Sequence, residues 1–288
     1  DWNIESPVMA AHQRSGIGNL RIRSYMQQNY RVPTNFEHFL YVGQLLQAEG
    51  IKMAIEAHRA SMPYCMGSLY WQINDVWPVA SWSGMDYYQC WKAMHYFIKK
   101  AFEPTITAAL VRDGKLRLSV ISDELGEREG ELRLRLIDFN GEALWKKDTS
   151  IQMPQNTALH ALEIPLTEIC DSNMAKKTVL LVDLYSQDHH ISHSPVYLAS
   201  AKVLELPTAP AIEKQVLPSK EGFLIRLRAS QLAKNVFLDF GDEVDGFFTD
   251  NYFDLLPGEL VEVMFKPKQK GVSLTAEGLK ILSLGEAQ

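Results

Sequence analysis

Glu103-Pro104 divides the chain into two kinds of hydrophobic pattern, and no other feature limits the possible fold as much. Beyond this point apolar residues recur at every second position. Leu116, Leu118 and Val120 alternate with Lys115, Arg117 and Ser119, and Leu132, Leu134 and Leu136 alternate around Arg133 and Arg135. A period of two gathers each set on one face of a strand, facing a core. Asp113-Gly114 and Asn140-Gly141 supply tight turns beside them. Segments 159–164, 178–186 and 195–204 read as further strands. About seven strands in roughly 100 residues, separated by turn signals, is the pattern of an immunoglobulin-like β-sandwich. No cysteine pair marks an antibody-type domain. Pro207-Thr208-Ala209-Pro210 reads as a linker, because proline limits helix and sheet alike. Past it, 222–228, 235–240, 259–265 and 278–283 alternate again, with Leu255-Leu256-Pro257-Gly258 as a turn. A second, smaller sandwich is expected there.

The first hundred residues follow a different rule. Thr34-Asn35 can cap a helix, and Phe36, Phe39, Leu40, Leu45 and Leu46 continue an apolar stripe to about residue 58. Gly50 costs that helix about 1 kcal/mol relative to alanine, which predicts a kink or break. Met62-Pro63 stops it. Tyr64-Cys65-Met66-Gly67-Ser68-Leu69-Tyr70-Trp71 is a near-continuous apolar run of strand length, suited to a strand covered on both faces. Asp86 is expected to cap a second helix, whose apolar face is Tyr87, Cys90, Trp91, Met94, Ile98, Ala101 and Phe102. Helix, buried strand, loop and helix together follow the grammar of α/β architecture. Five of the six tryptophans (Trp2, Trp71, Trp77, Trp82, Trp91) fall in this region, and only Trp145 lies beyond it.

Composition excludes several function classes. Acidic side chains outnumber basic ones by 35 to 29, for a net charge of -6, so no cationic surplus exists to neutralise phosphates. Neither a nucleic acid nor a membrane is expected as a partner. No stretch approaches 18 apolar residues, the length needed to span a bilayer as a helix. Cys65, Cys90 and Cys170 are too few and too scattered for a disulfide framework or a zinc cage, and read as small buried hydrophobes. The chain starts Asp1-Trp2-Asn3-Ile4, with neither a start methionine nor a basic leader, and so reads as cut from something longer.

Chemistry has few places to reside. His189, His190 and His193 lie in a stretch read as a solvated hairpin loop, with no further ligand to complete a tetrahedral site. Gly16-Ile17-Gly18 lacks the preceding strand of a nucleotide-binding loop. No Gly-x-Ser-x-Gly elbow occurs. What remains is the stretch from Gly67 to Pro78, an apolar run ending in Trp71, then Gln72, Asn74, Asp75 and Trp77. At the C-terminal end of a barrel strand, an indole offers a flat apolar platform for the C–H face of a sugar, with amides and carboxylates for its hydroxyls. Trp71 and Trp77 could equally plug a barrel mouth or pack on neighbouring helices. The residues alone leave both readings open.

The same stretch, Gly67-Ser68-Leu69-Tyr70-Trp71-Gln72-Ile73-Asn74-Asp75-Val76-Trp77-Pro78, with Ser81-Trp82-Ser83, Asp86-Tyr87-Tyr88 and Trp91-Lys92-Ala93-Met94-His95-Tyr96, closely resembles the end of the catalytic barrel in β-mannosidases of glycoside hydrolase family 2. Asp250-Asn251-Tyr252-Phe253-Asp254-Leu255-Leu256-Pro257-Gly258-Glu259 resembles their C-terminal immunoglobulin-like domain. The resemblance covers essentially the whole chain. It implies a remnant of a (β/α)8 TIM barrel over 1–102, an immunoglobulin-like sandwich over 103–207 and a smaller one over 208–288. Tyr64–Trp71 would be the eighth barrel strand. In the family the nucleophile glutamate ends the seventh strand and the acid/base glutamate ends the fourth, so both would precede Asp1.

The acidic residues agree, since only Asp75 follows the expected barrel strand and a retaining glycosidase needs two carboxyls. No catalytic residue is expected in this chain, nor activity from it alone. Trp71 resembles the tryptophan under the sugar about to be cleaved, and Asn74, Asp75 and Trp77 would shape the adjoining wall. The implied function is that of a retaining exo-β-mannosidase acting on terminal β-linked mannose of oligosaccharides, without cofactor or metal. The implied partners are the remaining N-terminal barrel and a second copy of the chain. Family members are exported to the periplasm in bacteria and lysosomal in animals. A family 2 β-galactosidase or β-glucuronidase, or a non-catalytic carbohydrate-binding or interaction module, is the alternative.

Overall fold

The computed structural model describes residues 3–126, 128–242 and 244–288; Asp1 and Trp2 fall outside the described residues. Four α-helices lead, α1 (Pro7–His12), α2 (Gly18–Asn29), α3 (Phe36–Ala60) and α4 (Ala93–Ala101). Strands β1 (Thr105–Arg112), β2 (Lys115–Ser122), β3 (Arg128–Asp138), β4 (Ala143–Met153), β5 (Thr157–Pro165), β6 (Thr178–Ser186) and β7 (His189–Val196) follow, with a short α5 (Leu166–Ile169) after β5. The chain continues through β8 (Ile212–Ser219), β9 (Gly222–Ala229), β10 (Ala233–Asp239), β11 (Gly246–Phe248), β12 (Phe253–Leu255), β13 (Val261–Pro267), β14 (Lys280–Leu282) and α6 (Leu284–Ala287). No described helix is long and apolar enough to cross a membrane. Two compact units result, one holding residues 50–69 and 98–205, the other 1–49, 70–97 and 206–288. The first hundred residues therefore make no compact body of their own, and each part clusters with a sandwich.

In the first unit, Asp113 and Gly114 turn the chain from β1 to β2 with φ of 52° and 72°. Two left-handed residues are what a two-residue hairpin turn requires, and glycine adopts that conformation without a Cβ clash. Sheet β1-β2-β5 faces sheet β4-β3-β6-β7. Leu116, Leu118 and Val120 from one meet Leu132, Leu134, Leu136, Leu180, Val182 and Leu184 from the other in a single core, which excludes water almost completely. The period of two seen in the sequence is this core. Arg59, buried near the end of α3, donates to the carbonyls of Ala101 at 2.6 Å and Glu103 at 2.8 Å, and to Asp123 Oδ2 at 2.9 Å. It thereby satisfies carbonyls where α4 gives way to β1.

In the second unit, sheets β12-β10-β14 and β11-β13-β9-β8 enclose Phe223, Ile225, Leu227, Val236, Leu238, Val263 and Phe265. Helix α3 joins this sandwich through side chains on one face. The Tyr41 hydroxyl donates to Asn235 O at 2.6 Å, and its ring lies 6.1 Å from that of Tyr252. Tyr252, buried and stacked on Phe237 at 4.9 Å, donates to Gln44 Oε1 at 3.1 Å. The same Gln44 oxygen accepts Ala93 N at 3.1 Å. Beside Tyr252, the Asn251 side chain accepts from Leu238 N and donates to Leu238 O. The 250–259 motif is thus a structural tie.

Several expectations change. The run Tyr64–Trp71 forms no strand, and Tyr64 and Leu69 are almost wholly exposed rather than covered on both faces. A ladder needs a neighbour, and no described strand pairs with this run. The second helix starts at Ala93 rather than after Asp86. Asp86 instead accepts Cys90 N at 2.8 Å and closes a turn in which Gln89 is left-handed, with φ of 68°. Gly50 does not break α3, whose 25 residues run unbroken through it. Burial of Tyr41, Val42, Leu45, Ala48 and Ile55 outweighs the local entropy cost. Segment 195–204 is not one strand: β7 ends at Val196 and residues 201–203 form a 3-10 turn. The cysteines are free; Cys90 is exposed, Cys65 is half-buried, and Cys170, also half-buried, packs against a core, that of the first sandwich.

Candidate functional site

The polar loop after Trp71 is folded back on itself. Gly84 N donates to Gln72 O at 3.0 Å, Met85 N to Ile73 O at 2.8 Å, and Asp75 N to Met85 O at 3.1 Å. Asn74 and Met85 form an isolated bridge, and Met85 also bridges Trp91, so three short pieces of backbone support one another.

Asp75 holds the centre of this loop. Lys92 Nζ lies 3.0 Å from Asp75 Oδ2, and Ser81 Oγ donates to both carboxylate oxygens, at 2.7 and 2.8 Å. Ser83 Oγ adds a further hydrogen bond to Oδ2. Burial acting alone would raise the Asp75 pKa. The hydrogen bonds from Ser81, Ser83 and Lys92, with the Lys92 charge, reverse that and lower it from the usual carboxylate value. Asp75 is therefore an internal anion with both oxygens committed.

The tryptophans divide into two kinds. Trp77 is packed: its ring stacks on His12 at 4.9 Å, the Arg14 guanidinium lies 5.3 Å from its centroid, and its Nε1 donates to His12 O at 3.2 Å. Nearby, His12 Nδ1 is 2.5 Å from Pro78 O and Gln13 Nε2 donates to Ala80 O. These contacts anchor the far end of the loop on α1. Trp91 packs on His95, Tyr96 and Phe247. Trp71, by contrast, is 73% exposed at the start of the loop. Of the four residues singled out from sequence, the structure draws Asp75 and Trp77 into packing and leaves Trp71 open. Asn74 is tied by its backbone bridge, and its side chain reaches only Asp75 O, at 3.4 Å.

Lys92, Ser81 and Ser83 were missed in the sequence. Lys92 lies 17 positions from its partner, at no periodic spacing, although Ser81-x-Ser83 flanking a tryptophan was a visible polar signal. The structure also brings together a group that the sequence reading had dismissed, joining His190 and His193 to Asp183.

Residues 114–202 match the Mannosidase Ig/CBM-like domain family, and residues 207–287 match Ig_mannosidase, an Ig-fold domain. The chain is 28% identical over 277 residues to β-mannosidase A of Aspergillus oryzae, covering 87% of this chain and 30% of that protein. It is 24% identical over 304 residues to the β-mannosidase of Mus musculus, covering 99% of this chain and 34% of that one. Among solved structures, the β-D-mannosidase of Dictyoglomus thermophilum superposes with a TM-score of 0.84 at 27% identity, over 98% of this chain and 34% of that one. An exo-chitosanase of Amycolatopsis orientalis shares the fold, with a TM-score of 0.70 at 17% identity over 99% of this chain and 39% of that one. Two mannosidase-type sandwiches in tandem define the class: the chain belongs to glycoside hydrolase family 2. Within that family its match is to the C-terminal part of the β-mannosidases, and it spans about a third of the length of these curated relatives.

Proposed function

We propose that this chain serves a retaining exo-β-mannosidase as the end of its catalytic barrel and the two sandwiches that brace it. The observation that carries this reading is Trp71, an indole 73% exposed at the head of a loop whose Asp75 is held by Lys92 and whose Trp77 stacks on His12. Such a ring is a platform for the apolar face of a mannose. The run Tyr64–Trp71 supports a barrel edge, because a near-continuous apolar run of strand length suits a strand covered on both faces. The rest of a (β/α)8 barrel would provide them, over a polypeptide about three times as long as this one. Asp75 is committed to Lys92 and the serines, so the two carboxyls of a retaining mechanism, about 5–5.5 Å apart, would come from that remainder. The mannosidase names of the relatives favour β-mannosides over galactosides and glucuronides.

Two experiments test this. The chain alone should release no phenol from an aryl β-mannoside, and turnover would overturn the reading. In the longer enzyme, Trp71→Ala should lower kcat/KM roughly ten- to several-hundredfold, as expected for loss of about 1–3 kcal/mol of apolar contact. A folded variant with an unchanged Tm and wild-type kinetics would remove Trp71 from the substrate site. Aryl β-galactoside and β-glucuronide serve as rival substrates.

A further inference from the structure

The outer face of β6 and β7 carries three side chains of metal-ligating type. Asp183 on β6 stands opposite His193 on β7. In a regular strand, residues three apart point to opposite faces, so His190 would turn away. The register shifts between Leu184 and Tyr185, however, pairing Ser192 with Leu184 but His190 with Tyr185. This bulge leaves Ile191 as the extra residue and returns His190 to the face that holds His193. The expected hairpin loop is thus a strand that starts directly after a two-residue turn at Gln187-Asp188, both left-handed with φ of 49° and 63°.

The side chains converge on one atom. His193 Nδ1 lies 2.7 Å from Asp183 Oδ1, and His190 Nε2 lies 3.0 Å from the same oxygen. The Asp183 side chain is only 3% exposed, while the two imidazoles are open to solvent on their outer side. Its second oxygen, Oδ2, accepts from Arg135 at 2.9 Å. The carboxylate thus has one oxygen held by a guanidinium and the other presented to two imidazoles. The His190 ring is itself set by stacking on Tyr185 at 4.9 Å.

We infer that Asp183, His190 and His193 form a binding site for a divalent transition-metal ion such as Zn²⁺. Two imidazole nitrogens and one carboxylate oxygen make a donor set of the kind that zinc accepts, with the fourth position left to water. Tetrahedral ligands at about 2.0–2.2 Å from zinc stand roughly 3.3–3.6 Å apart. The N···O separations of 2.7 and 3.0 Å need to open by only about half an ångström to admit the ion between them. Each imidazole would then coordinate through the nitrogen that now faces Asp183, releasing the proton it shares there. Arg135 takes the outer role, holding the ligating carboxylate through its other oxygen. The site lies at a sheet edge, because β7 is the outermost strand of its sheet.

The test uses the whole chain, stripped with a chelator and titrated with Zn²⁺ by calorimetry and with Co²⁺ by visible absorption. One Zn²⁺ per chain, a raised Tm and Co²⁺ bands of a nitrogen-containing site are expected. His190→Gln and His193→Gln should each weaken binding at least tenfold, and the double variant should abolish it, while His160→Gln leaves it intact. A wild-type chain that takes up no Zn²⁺ saturably, or a double variant that binds as wild type does, overturns the site. Should the double variant fail to fold, the nitrogen hyperfine pattern of Cu²⁺ bound to the wild-type chain decides. Two imidazoles support the assignment, and any other ligand set overturns it.

Discussion

Lys92 Nζ sits 3.0 Å from Asp75 Oδ2 with the two side chains only 12% and 4% exposed, so the loop that displays Trp71 is pinned by an ion pair almost out of water. Removing one member strands the other. Asp75→Asn should destabilise the chain by about 3–5 kcal/mol, because Lys92 then keeps a buried charge with no counter-ion. The pH dependence follows from the lowered Asp75 pKa. A depressed folded pKa means that the unfolded chain binds more protons near the ordinary carboxylate value of about 3.9. The contribution is present above that pH and is lost as pH falls through the folded pKa. Thermal melts from neutral to acid should therefore show the gap between wild type and Asp75→Asn narrowing below about pH 4. A gap that stays constant would mean that the ion pair is not what holds the loop.

Trp77 and Trp71 should separate cleanly in stability measurements. Trp77→Ala loses the His12 stack, the Arg14 contact and a hydrogen bond, and should cost about 1–2 kcal/mol in urea unfolding. Trp71→Ala should stay within about 0.5 kcal/mol of wild type, because its ring is largely in solvent. A large loss for Trp71→Ala would make it a packing residue.

Arg59 gives a second stability test. Arg59→Met keeps the aliphatic bulk but leaves the carbonyls of Ala101 and Glu103 without their donor. At about 1–3 kcal/mol for a stranded polar group, a loss of about 2–4 kcal/mol is expected by chemical denaturation. Arg59→Lys should recover only part of this, because an ammonium lacks the planar fork that reaches several acceptors at once. Full recovery by lysine would assign the effect to charge alone.

What could be read from the sequence depended on whether the signal was local. Leu116, Leu118 and Val120 face Leu132, Leu134 and Leu136 because a two-residue period is itself the geometry of a strand face, and Asp113-Gly114 names its own turn. Trp71 drew notice because a tryptophan followed by polar residues is a local contrast. The failures share a different cause. Apolar composition at Tyr64–Trp71 says what a segment prefers to touch, not whether the cover belongs to the same stretch of chain. Asp75 seemed available because nothing in its neighbourhood points to Lys92. His190 and His193 looked like loop residues because one bulged position destroys the alternation that would have marked a strand.

Tyr252 tests the tie between α3 and the C-terminal sandwich. Tyr252→Phe keeps the stack on Phe237 and Tyr41 and loses only the bond to Gln44, for an expected cost of about 0.5–1.5 kcal/mol. Tyr252→Ala removes a buried ring as well and should cost about 3–5 kcal/mol. Equal losses in the two variants, read by differential scanning calorimetry, would place all of the effect in the hydroxyl.

The bond between Tyr41 and Asn235 also sets a timetable. Its partners are 194 positions apart, and a ribosome adds about 5–20 residues per second, so α3 emerges about 10–40 s before the strand it needs. Throughout that interval Tyr41 and Gln44 stand on a finished helix with no sheet beneath them. Such a face is an attractive surface for chaperones, and for other nascent chains as well. The last eighty or so residues thus act during biosynthesis as a closing clasp. A chain interrupted before β10 would lack the sheet that covers the Tyr41 face of α3.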